Sequence, residues 1–265
     1  MSAAASVPAG GVPRLRVERV TKSFGGVTAI DDVTFGVRSG VVHAIIGPNG
    51  AGKTTLINLL SGVYRPTHGR IVLDNRELTH APAHAFGEAG IARTFQTPQV
   101  FANMSVVENV MTGRHRLERK ALLPALVHAP SLARAERASR EHAFALLRML
   151  GLVAFADASP ASLSYGAQKR LEIARALAAE PALLLLDEPA AGLNATEARE
   201  IERVIRELAE RGIAVVLVEH DMRLVMDVSD HILVLDYGRR LCEGTADDVR
   251  RDARVIEAYL GAGHA

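Results

Sequence analysis

One cysteine, Cys242, is the only thiol in 265 residues. No internal disulfide can form, a cysteine-built metal site is excluded, and a reducing compartment is the simplest home for such a chain. Long apolar runs are missing as well: 182–186 and 213–218 fall far short of the ~20 residues a helix needs to cross a bilayer. There is no excess of either charge, since 31 basic residues against 30 acidic ones leave +1. The overall charge therefore gives no case for nucleic acid as the main partner. Internal repeats are absent, and the one low-complexity stretch is the leader MSAAASVPAGGVP. It lacks the basic start and long apolar core of a signal peptide, so residues 1–13 are expected to be a disordered leader ahead of a single folded domain, 14–265. The chain as a whole, 48% apolar and 23% charged, has ordinary globular composition.

Hydrophobic patterning divides the chain. Segments Leu15–Val20 and Val33–Val37 alternate apolar residues with others, which suits a half-buried antiparallel sheet. Val41–Ile46, Ala182–Leu186 and Ile213–Val218 are short, nearly continuous apolar runs, the pattern of parallel strands covered on both faces. Helices are expected over Thr54–Leu60, along the stripe Leu171, Ala174, Ala178, and along Ile201, Val204, Ile205, Leu208. The last of these follows a capping-box-like Asn194–Glu197 start and stops before Gly212. From 97 to 162 the chain turns helical and rich in Ala and Arg, including a long helix over Ser131–Leu150, and reads as a helical subdomain inserted into the α/β core of 14–96 and 163–250. Residues 231–244 read as two strands around an Asp-Tyr-Gly turn, and 251–265 as a C-terminal helix.

The chemistry concentrates where strands end. GPNGAGKTT, residues 47–55, fits G-x-x-x-x-G-K-[ST] between an apolar strand and a helix. In Gly47, Pro48, Asn49, Gly50, Ala51 and Gly52, glycines let main-chain N–H groups curl around phosphates. Lys53 supplies a point charge, the Thr54 hydroxyl can ligate Mg²⁺, and Thr55 is placed for the α-phosphate. Asp187 and Glu188 directly follow the strand ALLLL, at the carboxyl end where open α/β sheets bind ligands. Asp187 suits the Mg²⁺ shell and Glu188 the polarising of an attacking water. His220 closes the third parallel strand beside them, whereas His43 lies inside a strand and reads as a satisfied core residue. LSYGAQ, residues 163–168, presents a serine, a glycine and a helix N-terminus, a second phosphate-seeking device.

Together these segments resemble the ATP-binding-cassette (ABC) ATPases, from about Leu15 onward. The resemblance implies a P-loop α/β fold with a parallel-sheet core, an antiparallel β subdomain and an inserted α-helical subdomain. It makes GPNGAGKTT the Walker A segment, LLLLDE the Walker B segment with catalytic Glu188, and Gln96 in RTFQ the catalytic Q-loop residue and a third Mg²⁺ ligand beside Thr54 and Asp187. It makes AGLN (191–194) the D-loop, His220 the switch histidine, and Phe24 the aromatic on adenine. LSYGAQ resembles the family signature, in which Ser164, Tyr165 and Gly166 serve the ATP held by a partner's Walker A. The fifth position, usually Gln, is Ala167 here, with Gln168 next. RTFQTPQVFANMSVVENVMTG, DEPAAGLN, VEHDMRLVM and the ending EAYLG are similar to the ATP-binding subunits of branched-chain amino-acid importers, and 113–134 resembles the insertion of the larger of that system's two ATPases.

The implied partners are a second ATPase subunit, identical or not, integral membrane permease subunits and, indirectly, a substrate-binding protein. The implied place is the cytoplasmic face of the inner membrane, as a peripheral protein, and no nucleic acid is expected. A urea or amide importer, a lipopolysaccharide exporter and a soluble ABC ATPase acting on DNA or translation are the alternative readings.

Overall fold

The computed structural model describes residues 13–115 and 129–261. The expected leader up to residue 12, the middle of the 113–134 insertion and the last four residues lie outside the described residues.

Two sheets organise the chain. In the first, β1 (Leu15–Phe24), β2 (Val27–Val37), β4 (His68–Leu73) and β5 (Arg76–Glu77) lie in the order β2-β1-β4-β5, all antiparallel. In the second, β3 (Val42–Ile46), β6 (Ile91–Arg93), β7 (Leu183–Asp187), β8 (Ala214–Val218), β9 (His231–Asp236) and β10 (Arg239–Gly244) lie in the order β10-β9-β3-β8-β7-β6. Neighbours there are parallel except the hairpin β9-β10. Its turn uses left-handed backbone at Tyr237 (φ 44°) and Gly238 (φ 77°), the geometry that matches strand twist in tight hairpins.

The unbroken apolar runs of β3, β7 and β8 follow from burial on both faces, since every residue in the three strands is buried. Period-two alternation sorts their side chains into two cores. Val42, Ala44, Ile46, Leu184, Leu186, Val215 and Leu217 face one core. There they meet α5 (Tyr165–Ala178), α6 (Ala195–Glu210) and α7 (Met222–Val228). Ile45, Leu183, Leu185 and Val216 face the other, against the antiparallel sheet and α1 (Lys53–Leu60).

Between β6 and α5 run α3 (Val106–Thr112), α4 (Ala129–Met149) and two short turns, with α2 (Ala83–Glu88) preceding β6. α8 (Ala246–Arg251) and α9 (Ala253–Gly261) end the described chain. Several short elements escape the sequence pattern. β6 is three residues long, β4 has Gly69 (φ 90°) near its start, pressed against Arg19 and Val20 of β1, and α2 is six residues with no side-chain cap. The helix expected from Ser131 begins at Ala129.

Candidate functional site

The adjacency β3-β8-β7-β6 sets four segments side by side at one edge: the glycine loop after β3, Glu219 and His220 after β8, Asp187 and Glu188 at the end of β7, and Gln96 after β6. This is the carboxyl edge where doubly wound sheets bind ligands.

In the loop, Gly47 (φ 152°), Gly50 (φ 81°) and Gly52 (φ 100°) take backbone conformations that side chains resist. A Cβ on Gly47 would stand 2.2 Å from the Leu235 carbonyl oxygen, and one on Gly52 2.6 Å from that of Ala29. α1 starts at Gly52 with no side-chain cap and no acidic residue in its first turn, which leaves its N–H groups directed at an anion. Lys53 Nζ donates to the carbonyls of Gly47 (2.6 Å) and Pro48 (3.0 Å). Burial lowers its pKa, and the nearby Glu188 works against that shift. Asn49 and Thr54 are exposed.

Glu188 is the meeting point. Its backbone is left-handed (φ 47°), its N–H donates to Val218 (2.8 Å), and its side chain receives two predicted partners on one oxygen. Gln96 Nε2 donates to Glu188 Oε2 at 2.6 Å, and His220 Nδ1 lies 3.6 Å from the same atom. Asp187, buried beside it, accepts from Arg93 Nη2 at 2.9 Å. Arg93 Nη1 also donates to Asn58 (2.6 Å) and Ser61 (2.9 Å), tying β6 and β7 to α1.

The donors expected for Mg²⁺ are a hydroxyl, a carboxamide and a carboxylate. They suit a hard cation that keeps part of its shell on phosphate. Gln96 gives its N–H to Glu188, which leaves its carbonyl oxygen as a donor. Among the described residues no group of three His, Cys, Asp or Glu is assembled for a metal.

Ser164 is the N-cap of α5. Its Oγ accepts from Ala167 N–H (3.3 Å) and donates to Glu197 Oε1 (3.1 Å). A Cβ on Gly166 would come within 2.6 Å of that carboxylate. Tyr165, exposed, points its hydroxyl at the Gln96 carbonyl (3.5 Å). Ala167 is buried, and the Gln168 amide turns back to the carbonyls of Pro160 and Leu163. Phe24 ends β1 at the surface, edge-on to Tyr64 with ring centroids 5.1 Å apart, and Lys22 Nζ lies 4.8 Å from its centroid.

His43 corrects one expectation. It is buried in β3, yet its Nε2 has no hydrogen-bond partner and Glu243 stands 3.9 Å away, so it is a core histidine but not a satisfied one. Sequence reasoning also passed over Arg93, Lys169 and Glu219, and gave Glu197 a capping role alone. Glu219 is buried and accepts from Ala190 N–H (2.8 Å) and His220 N–H (3.0 Å), fixing the backbone on either side of the Glu188–His220 pair. The available signal was placement: Arg93 opens RTFQ and Lys169 directly follows LSYGAQ.

The ABC transporter family profile matches residues 30–191, more than half the chain. The chain belongs to the ABC transporter family. A profile described as branched-chain amino acid ATP-binding cassette transporter matches 239–265. The chain is 44% identical over 250 residues to the high-affinity branched-chain amino acid transport ATP-binding protein BraF of Pseudomonas aeruginosa, covering 94% of this chain and 98% of that one. It is 40% identical, with the same coverage, to LivG of Escherichia coli. A solved ATP-binding cassette of an ABC transporter in its ADP conformation superposes with a TM-score of 0.82 at 34% identity, covering 95% of this chain and 100% of that one. A dimeric cassette in a post-hydrolysis state with ADP and Pi superposes with a TM-score of 0.71 at 26% identity, covering 88% and 98%. This ABC protein is an ATP-binding, ATP-hydrolysing subunit with the expected α/β cassette fold. Among the described residues no helix is long and apolar enough to cross a membrane.

Proposed function

We propose that this ABC ATPase energises uptake of branched-chain or other hydrophobic amino acids, working as a dimer of cassettes on the cytoplasmic face of a membrane permease. Gly47–Thr55 hold the triphosphate, with Lys53 as the point charge and Thr55 toward the α-phosphate; Phe24 stacks on adenine. Thr54, Gln96 and Asp187 would hold Mg²⁺, which when bound offsets phosphate charge. Glu188 accepts the proton of the attacking water while His220 and Gln96 orient its carboxylate. Ser164, Tyr165 and Gly166 address the triphosphate of the partner subunit, where the helix end and the serine hydroxyl favour an anion.

The observation that carries the reading is the convergence of Gln96 and His220 on one Glu188 oxygen beside the glycine loop. It supports hydrolysis in a site where residues that follow two other strands, β6 and β8, converge on a carboxylate that follows β7. A groove of about 540 Å³ lies next to it, lined by Gln99, Val100, Phe101, Glu172 and Arg175. The buried Glu172 Oε2 has no hydrogen-bond partner there. The groove supports docking of a permease segment between the Gln96 loop and the helices of 97–162. The substrate class rests on the relatives' printed activity and on the match at 239–265.

Reconstitution with its permease and binding protein, assayed against leucine, isoleucine, valine, polar amino acids and urea, tests the proposal. ATP-dependent accumulation of the branched-chain set supports it; accumulation of urea alone, or of none of these, contradicts the substrate assignment.

A further inference from the structure

Helix α5 buries two charged side chains, Lys169 and Glu172, among hydrocarbon. Lys169 lies in the buried arc with Leu171, Ile173 and Ala174 and is 2% exposed. A buried ammonium is tolerated only where its protons find acceptors. Lys169 Nζ donates to the main-chain carbonyls of Gln96 (2.5 Å) and Glu188 (3.1 Å). Glu172, Glu219, Glu188 and Asp187 offset its charge, and the Tyr165 ring centroid lies 5.7 Å away.

These anchor points coincide with the functional ones. The two carbonyls belong to the residues whose side chains meet at 2.6 Å. Glu188 sits at φ 47°, a conformation that persists only where the surroundings over-determine it. Its N–H is fixed by Val218 and its carbonyl by Lys169. Lys169 is five residues beyond Ser164, little more than one turn from the helix end expected to meet a partner's nucleotide. A shift of that end moves the ammonium, and with it both carbonyls.

We infer that Lys169 is a positioning residue. It links the signature end of α5 to the Gln96–Glu188 pair of the same chain, so that engagement of one nucleotide sets the carboxylate serving the other. The inference rests on the roles proposed above for Glu188 and Ser164–Gly166. Lys169 reaches the main chain of these residues and touches no reacting atom, so its effect must appear in turnover and spare ground-state binding.

Full-length Lys169→Met and Lys169→Arg, with Glu188→Gln alongside, test it by steady-state ATPase kinetics and equilibrium MgATP binding. Lys169→Met is expected to lower kcat by about 10²-fold, the scale of a small misplacement, with KM and MgATP affinity held within about twofold. Lys169→Arg, which keeps a cation with several donors, is expected to recover most of that loss. Should Lys169→Met not fold, Lys169→Gln, which keeps a neutral donor, carries the same comparison. Unchanged kcat, equal losses in the Met and Arg variants, or a fall in MgATP affinity matching the fall in kcat would each overturn the inference while leaving the site intact. A Glu188→Gln chain that still turns over ATP overturns the site reading and this inference with it.

Discussion

Glu188 Oε2 accepts from Gln96 and faces His220, so removing its charge should remove the base without removing the cradle. Glu188→Gln is expected to lower turnover by about 10²–10⁴-fold, the usual worth of a positioned general base, with MgATP still bound; nucleotide titration beside an ATPase assay checks both halves. Lys53→Ala should act on binding itself, raising the nucleotide dissociation constant, because the lysine is the point charge of the loop.

His43 supplies a stability test at the same scale. Burial first, then the electrostatic influence of His231 and Arg240, hold its pKa at about 3, down from 6.5. Below pH 6.5 the unfolded chain binds this proton and the folded chain does not, so the contribution is lost as pH falls, by up to ~1.4 kcal/mol per pH unit. Urea unfolding at pH 7 and pH 5 should show His43→Leu losing ~2 kcal/mol less than the parent over that interval. The difference between the two chains matters here, because burial raises the pKa of Glu172, Glu219 and Glu243 and makes them act in the opposite sense. Glu188 and His220 were legible as residues because each follows an apolar strand, and Lys53 because it sits in a glycine motif, whereas Gln96 was given by the family resemblance alone. The parts of Lys169, marked in the sequence only by its place next to LSYGAQ, and of Glu219 were not legible, since they depend on carbonyls and N–H groups brought near by folding.

Elements were readable where they were long or capped. Asn194 caps α6 by accepting from Thr196 and Glu197 N–H groups at 3.0 Å, and Glu197 completes a capping box, as the spacing Asn194–Glu197 implied. Asn194→Ala should cost about 1 kcal/mol by denaturant unfolding. Glu197 carries a second contact, to Ser164, that the box alone does not reveal. The apolar runs of β3, β7 and β8 announced a parallel sheet because both faces are covered, and deleting side-chain volume there is costly. Leu186→Ala, in a fully buried β7 position, should cost about 2–5 kcal/mol. β6 was invisible for the converse reason: three residues hold no periodicity, and pairing with β7 alone makes them a strand. Its consequence is large, since it delivers Arg93 to Asp187 and Gln96 to Glu188.

At the scale of the whole molecule, the two phosphate-seeking devices lie on different parts of one chain. The glycine loop ends β3, whereas Ser164 and Gly166 begin α5 and, within this chain, meet the Glu197 carboxylate. A second cassette gives the signature a nucleotide to meet, and a related cassette has been solved as a dimer with ADP and Pi. The fold class was legible from strand order and motif order, while the partner's contribution is a surface property that one chain's sequence expresses only through its signature. The most direct test compares Glu188→Gln with the double variant Glu188→Gln, Ser164→Arg, measuring mass in solution and MgATP affinity. The single variant should form an MgATP-dependent dimer, and the double variant should bind MgATP as tightly and remain a monomer. A double variant that dimerises equally well, or one whose monomer loses its MgATP affinity, would contradict the assignment of Ser164 to the neighbouring subunit's nucleotide.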